Sequence, residues 1–227
     1  MDLAGSTWAQ VEATGGRSVL VLPLGSLEQH GPHLPLDTDT RIARAVAAGL
    51  SERRPDVAVA PALSFGASGE HAGFPGTLVV GHAVLADLLT ELVRSARSDF
   101  AGVVVVSAHG GNREALDLLR ARSATEGDDV LVWSPRVSGG DAHAGRSETS
   151  LLLAIDPAAV RLELAEAGCT EPLESLLPRL RAEGVRPVSS NGVLGDPAGA
   201  SADEGRTLLR ALVTDLVTAV SSRWPAP

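Results

Sequence analysis

The sequence predicts a layered α/β/α fold with a mainly parallel central sheet, organised as one domain over residues 1–227. Three observations carry this expectation. Short apolar runs alternate along the chain with longer segments whose apolar residues recur every three to four positions, the rhythm of a parallel sheet flanked by helices. The run Gly-Val-Val-Val-Val-Ser at 102–107 is β-branched and free of charge, as a strand covered on both faces requires. With 227 residues, 44% of them hydrophobic, a full core is available, and the lone Cys169 leaves no internal disulfide to depend on.

Taken in order, residues 6–12 predict a short opening helix and 18–24 (SVLVLPL) a buried strand. A loop punctuated by glycine and proline, GSLEQHGPHLPLDTDT, leads to a helix from about 40 to 53 with Ile42, Val46 and Leu50 on one face. Residues 57–60 predict a second strand, 64–77 a glycine-rich loop, and 83–97 a helix striped by Leu85, Leu88, Leu89 and Leu92. The central strand at 102–107 is followed by a helix over 113–122 and a strand over 130–133. The loop SPRVSGGDAHAGRSE precedes an apolar helix near 149–155. Ser201 to Glu204 form a capping box that opens a terminal helix with Leu208, Leu212 and Leu216 at helical spacing. The last four residues, from Trp224, read as a frayed end.

Composition narrows the function classes. A net charge of −9 without a dense basic cluster argues against a nucleic-acid partner. No apolar run is long enough to cross a bilayer, and the first residues, MDLAGSTW, lack the basic and apolar regions of a signal peptide. A cytoplasmic protein with no membrane partner is expected. Aromatic residues make up only 3% of the chain, so stacking platforms for bases or sugars are not expected.

Chemistry concentrates in the loops after the strands, where open parallel sheets bind ligands. Four of the six histidines (His30, His33, His109 and His143) lie there, beside Glu28, Asp37, Asp39, Asp141 and Glu148. In an extended segment residues two apart share a side, so Glu28 and His30 can approach one cation or an adjacent pair. The proline-restricted loop that follows can return Asp39 to the same place. His109 follows the central strand in Ser-Ala-His-Gly-Gly-Asn, whose paired glycines permit close approach of backbone to a ligand. Imidazole and carboxylate without thiolate suit zinc, iron or manganese, and several buried carboxylates without a cation would be costly. His33 and Asp37 are expected to support the loop by hydrogen bonding, and His82 to begin a helix without chemical duty. Asp141 either orients His143 or stabilises a glycine-rich turn. No G-x-S-x-G elbow is present, Cys169 lies away from the histidine loops as a packing residue, and Gly66-Ala67-Ser68-Gly69 lacks the lysine of a phosphate loop.

The segment PLGSLEQHGPHLPLDTD at 23–39 closely resembles the first metal-binding motif of the creatininase family. The resemblance continues through GASGEH at 66–71 with FPGT at 74–77, HGGN at 109–112 and HAGRSETS at 143–150, in family order. It implies a creatininase-like α/β/α fold, a homo-oligomer, and two neighbouring divalent ions, Zn2+, Fe2+ or Mn2+. Asp39 would bridge them, with Glu28 and His109 on one ion and His30 on the other. Creatininases carry a glutamate two residues after the histidine that matches His109, whereas this chain has Gly111, which leaves Glu148 as the natural replacement ligand. That departure points away from creatinine. The segment GVLGDP at 192–197, with the 69–71 and 143–150 blocks, is similar to the family's peptidase branch of mycofactocin biosynthesis. This implies removal of a C-terminal Val-Tyr dipeptide from a modified precursor peptide. The alternative is a family hydrolase of a small cyclic amide or formamide. His143 and Glu148 are the expected catalytic residues, His143 protonating the leaving amine. Glu70, His71, Thr77, Gly110, Gly111 and Asn112 are expected around the substrate, with Arg146 or Arg113 available for a terminal carboxylate. Trp8, Trp133 and Trp224 are available for contacts between copies.

Overall fold

The computed structural model describes residues 1–226. Its sheet has four strands, β1 (Val19–Leu24), β2 (Val57–Val59), β3 (Gly102–Ser107) and β4 (Val130–Trp133), in the order β2-β1-β3-β4 and all parallel. Val21 lies opposite Val59 on one side and Val104 on the other. Every residue of β1 and β3 is buried, as their unbroken apolar sequences require.

The two-residue period of a strand sends alternate side chains into two separate helical layers. Val19, Val21, Val104 and Val106 meet α2 (Thr38–Arg53), α5 (Arg146–Ile155) and α7 (Ala202–Arg223) through Val46, Leu50, Leu152, Leu216 and Val220. Leu20, Leu22, Val103 and Val105 meet α3 (His82–Ala96) and α4 (Arg113–Glu126) through Leu85, Leu89 and Leu119. Each fully buried leucine here contributes roughly 1.5–3 kcal/mol. A smaller apolar cluster of Leu176, Val185 and Leu194 ties α6 (Leu173–Glu183) to the loops beyond the sheet. The opening helix α1 (Trp8–Glu12) buries none of its residues.

Several boundaries differ from expectation. α2 begins at Thr38, which puts Asp39 in its first turn. α5 begins at Arg146, so Glu148 sits in a first helical turn and not in the preceding loop. Asp141 explains the early start: its Oδ2 accepts the Arg146 N–H, so this carboxylate stabilises the turn into the helix. α6 was not expected, because Pro178 interrupts its pattern and only Leu176 of its residues is buried. Trp224 is not frayed. Its Nε1 donates to Asp129 at 2.7 Å, its carbonyl accepts from Arg54 at 2.9 Å, and its ring occupies the space a side chain at Gly102 would need. Pro227 lies outside the described residues. Trp133 is also internal, buried with its Nε1 donating to Asp215 at 2.7 Å, which leaves Trp8 as the exposed tryptophan.

The turn leaving β1 places the chemistry. Gly25 crosses so close to α2 that a Cβ there would overlap the Thr40 backbone and Oγ1. Thr40 Oγ1 donates to the Ser26 carbonyl at 3.2 Å, and Ser26 Oγ donates to Asp39 at 2.5 Å. Gly25→Ala should therefore push α2 from the sheet and lower stability by about 1–3 kcal/mol, read as a shifted urea midpoint at unchanged slope.

Candidate metal centre

Each expected ligand is carried to the carboxyl end of the sheet by a different local device. Glu28 and His30 lie in the loop after β1, held by isolated bridges from Leu27 to Leu78 and from His30 to Leu34. His109 follows β3 directly. Asp39 and Glu148 stand in the first turns of α2 and α5, where the helix dipole favours negative charge. His143 precedes Ala144, whose φ of 52° is a left-handed conformation that a non-glycine residue adopts at a cost of about 1–3 kcal/mol. That strained turn aims the Ala144 N–H at Glu148 Oε2, 2.7 Å away.

The structure brings Glu28, His30, Asp39, His109, His143 and Glu148 into one cluster. His30 Nε2 lies 3.3 Å from Asp39 Oδ1 and 4.0 Å from Glu148 Oε2. His109 Nδ1 lies 3.1 Å from Glu28 Oε1 and 3.4 Å from Asp39 Oδ2. The two oxygens of Asp39 thus face different histidines. Three residue groups have ligand atoms close enough to share an ion: Glu28, Asp39 and His109; His30, His143 and Glu148; and Glu28, His71 and His143.

The fit to a divalent ion can be judged from Glu28. Its carboxylate is 0% exposed, and neither oxygen has a hydrogen-bond partner. The nearby imidazoles stand off the directions a hydrogen bond needs. An orphan carboxylate of this kind is expensive unless a cation answers it. Three imidazoles are oriented for that purpose, each placing one ring nitrogen on a backbone carbonyl and the other in the cluster. His30 Nδ1 meets Glu28 O at 3.1 Å, His109 Nε2 meets Ala67 O at 3.3 Å, and His143 Nε2 meets Gln29 O at 2.8 Å. A carbonyl on the far nitrogen is the usual support of a metal-binding histidine.

The field of the cluster is strongly negative. Burial alone would lower the His30 pKa, yet Asp39, Glu148 and Glu28 raise it to about 10. His109 is raised well above its ordinary value against the same burial penalty, by Glu28 and Asp39. Burial opposes charge on Glu28, but His109 and His71 hold its carboxyl at about 2. Burial raises Glu148 to about 7, partly offset by His30. For His143 burial, reinforced by His30 and His71, lowers the pKa well below 6.5, so it is neutral at pH 7.

The remaining residues are placed as follows. His71 lies inside the cluster, with Nε2 3.3 Å from Glu28 Oε1. Thr77 Oγ1 accepts the Gln29 N–H at 3.2 Å. Asn112 is fully buried, bonding Ala67 N, Gly25 O and Ser107 Oγ, so it ties the loops together. Gly110 and Gly111 belong to a short 3-10 turn at Gly110–Asn112, and His82 bonds the Gly111 carbonyl at 3.2 Å, a structural duty beyond beginning α3. His33 Nε2 meets Thr149 Oγ1 at 2.9 Å, and Asp37 pairs with Arg41 at 2.7 Å, both outside the cluster as expected. Arg146 is committed to Glu204 at 2.9 Å, and Arg113 is exposed beside Asp117. The residue that sequence reasoning missed is Gln29. Strand alternation would send it away from Glu28 and His30, but it turns inward between His71 and His143.

Comparison with known proteins agrees with this arrangement. The family model described as "Creatininase: Creatinine amidohydrolase" matches residues 4–220. The chain belongs to the creatininase family. It is 46% identical over 236 residues to the mycofactocin precursor peptide peptidase of Mycobacterium tuberculosis (strain CDC 1551 / Oshkosh), covering 100% of this chain and 93% of the relative. It is 30% identical over 253 residues to the creatinine amidohydrolase of Pseudomonas putida, covering 96% and 95% of the two chains. A solved structure described as "Creatininase Mn" superposes with a TM-score of 0.80 at 27% identity, covering 98% of each chain.

Within the creatininase family, position 111 now has a physical explanation. A Cβ at Gly111 would overlap Glu70 Oε1, His109 Nε2 and the Ala67 carbonyl. Glu70 fills the space that a side chain at 111 would take, its Oε1 3.6 Å from His109 Nε2. Gly111→Ala is expected to cost about 1–3 kcal/mol, and part of that loss should return in the Gly111→Ala/Glu70→Ala double variant. A urea-denaturation double-mutant cycle with no coupling energy would contradict this packing relation.

Proposed function

We propose that the protein is a metal-dependent peptidase that removes the C-terminal Val-Tyr dipeptide from the modified mycofactocin precursor peptide. The observation that carries this reading is the 46% identity to a mycofactocin precursor peptide peptidase across the whole chain, against 30% to a creatinine amidohydrolase. A cavity of about 740 Å3 is lined by Asp141, Arg146, Cys169, Leu173, Leu194 and Asp196 among others, and by none of the cluster residues. Its link to them is Leu194, whose carbonyl accepts the His143 backbone N–H at 3.1 Å.

In this reading Glu28, Asp39 and His109 would hold one divalent ion, and His30, Asp39 and Glu148 the other. Zinc, iron and manganese all suit such donors. Bound there, the ions would supply Lewis acidity toward the amide oxygen and bring the pKa of a water toward about 7. The chain's own part is proton handling and exclusion of solvent. Neutral His143 takes the proton of the attacking water and returns it to the leaving amine, a role worth roughly 10²–10⁴ in rate. Glu70, His71 and the 66–77 loop frame the side of the cluster nearest His109.

The enzyme is further proposed to act as a homo-oligomer in the cytoplasm. Phe65, Leu78, Val79 and Val84 are large apolar side chains left exposed near the start of α3, a surface suited to a second copy. Among the described residues no helix is long and apolar enough to cross a membrane.

Purified, metal-supplemented protein incubated with the decarboxylated, cross-linked precursor peptide should release free Val-Tyr, seen by liquid chromatography and mass spectrometry, and a chelator should abolish it. Intact peptide with a metal-loaded sample would refute the peptidase reading and favour a small-amide hydrolase. His143→Ala should keep both ions and lose about 10²–10⁴ in turnover. Glu148→Gln should lower the occupancy of one ion, measured by elemental analysis, and full occupancy of both would remove Glu148 from the ligand set.

A further inference from the structure

Four imidazoles enter the cluster, but only three have a ring nitrogen on a backbone carbonyl. His71 is the exception. Its Nδ1 lies 2.8 Å from the side-chain nitrogen of Gln29, a group that can only donate. The orientation of that amide is fixed from both ends. Its oxygen accepts the Gly31 N–H at 2.9 Å, and its nitrogen donates to the Gly192 carbonyl at 3.0 Å. Reversing the amide would face two donors on one side and two acceptors on the other.

Proton counting then assigns both neighbouring rings. The amide nitrogen has two protons, one for Gly192 O and one for His71 Nδ1. His71 must therefore carry its own proton on Nε2, the atom 3.3 Å from Glu28 Oε1. His143 Nε2 also lies 3.0 Å from the same amide nitrogen, but no proton remains there to give. That nitrogen stands 2.8 Å from the Gln29 carbonyl oxygen, which can only accept, so His143 Nε2 carries the proton. The lone pair of His143 is left on Nδ1, on the side of His30, Glu28 and Glu148.

We infer that Gln29 directs the protons of this site, keeping the His71 proton on Nε2, the nitrogen nearer Glu28, and leaving His143 with a bare Nδ1 that faces the cluster. The two rings stand 4.4 Å apart and have similar burial, yet they have opposite capacities. His143 can accept a proton at Nδ1. His71 can accept none at the atom that faces Glu28, so the group of Glu28, His71 and His143 is closed as an ion site while the other two groups stay open. No side chain larger than glycine fits at 192, where a Cβ would overlap the Gln29 amide, so the Gly192 carbonyl reaches Gln29 without steric competition. Gln29 is a positioning residue in this scheme, acting through His71 and His143.

The inference rests on reading the cluster as the metal-dependent active site, and its test needs no substrate, so its failure is separable from failure to cleave peptide. The metal-free protein, labelled with 15N-histidine, is examined by long-range proton–nitrogen correlation, with His71→Gln and His143→Gln variants assigning the rings. Both rings should show the Nε2–H tautomer. In Gln29→Glu the carboxylate only accepts, and His71 should switch to the Nδ1–H tautomer. Zn2+ added to the wild type should shift His30 and His109 but not His71, and its affinity should fall about 10–100-fold in Gln29→Glu. A wild-type His71 or His143 protonated on Nδ1 would overturn the inference, as would zinc ligation by His71. The wild-type spectrum decides these points even if Gln29→Glu does not fold, and a folded Gln29→Glu with an unchanged His71 tautomer would count against it.

Discussion

Glu28 is a carboxylate held out of water with both oxygens unpartnered, and much of the surrounding structure can be read as the means of keeping it there. Burying an isolated charge costs several kcal/mol even after relaxation, so the site is affordable only as a set. Asp39 and Glu148 add negative charge, while His30, His109 and His143 turn lone pairs or protons toward it. Their outer nitrogens are anchored on main-chain carbonyls that cannot move without disturbing the strand ends. The result is a rigid anionic centre whose geometry belongs to the backbone and whose charge calls for a cation.

The α/β/α scaffold supplies what such a centre needs. Parallel β1 and β3 end side by side, so the residues after them, Glu28, His30 and His109, emerge within reach of one another. Two helices begin at the same edge, and each contributes a carboxylate from its first turn, where exposed backbone N–H groups favour anions. Gly25 allows the first loop to lie against α2, and the strained Ala144 turns His143 and Glu148 toward a common point. Close packing is thus required only at a few junctions, and those are where glycine or a costly backbone angle appears.

Most of this was legible in the sequence where one physical signal dominated. The valine run of β3 and the leucine stripe of α3 gave the layers, because burial on two faces or one face leaves a clear pattern. The gathering of Glu28, His30, Asp39, His109 and His143 was legible because imidazole and carboxylate collect after strands only rarely without a reason. What was missed has equally physical causes. α6 carries an internal proline and one buried residue, so its helix is stabilised by contacts that no local pattern records. Gln29 was overlooked because alternation holds for ladders, and its loop is pinned only by isolated bridges. The neutrality of His143 could not be read from an unperturbed pKa, since burial and two neighbouring imidazoles set it. Gly111 was recognised as a departure, but its partner Glu70 lies 41 positions away and only the folded chain brings them together.

That pairing also links the centre to more distant packing. Gly111 leaves room beside His109, and Glu70 from the loop after β2 fills it. Glu70 belongs to a segment with other attachments. The Glu70 carbonyl accepts the Val185 N–H at 2.7 Å, and Val185 packs with Leu176 and Leu194 in the small third cluster. Leu194 in turn pairs with His143 and lines the large cavity. One compact packing unit therefore touches Glu70 on one side of the centre, His143 on the other, and the cavity between these loops and α6. Glu28, His30, Asp39 and His109 stand outside this unit, so their geometry depends on the sheet and α2, and the unit itself lies in the part of the chain whose pattern was hardest to read.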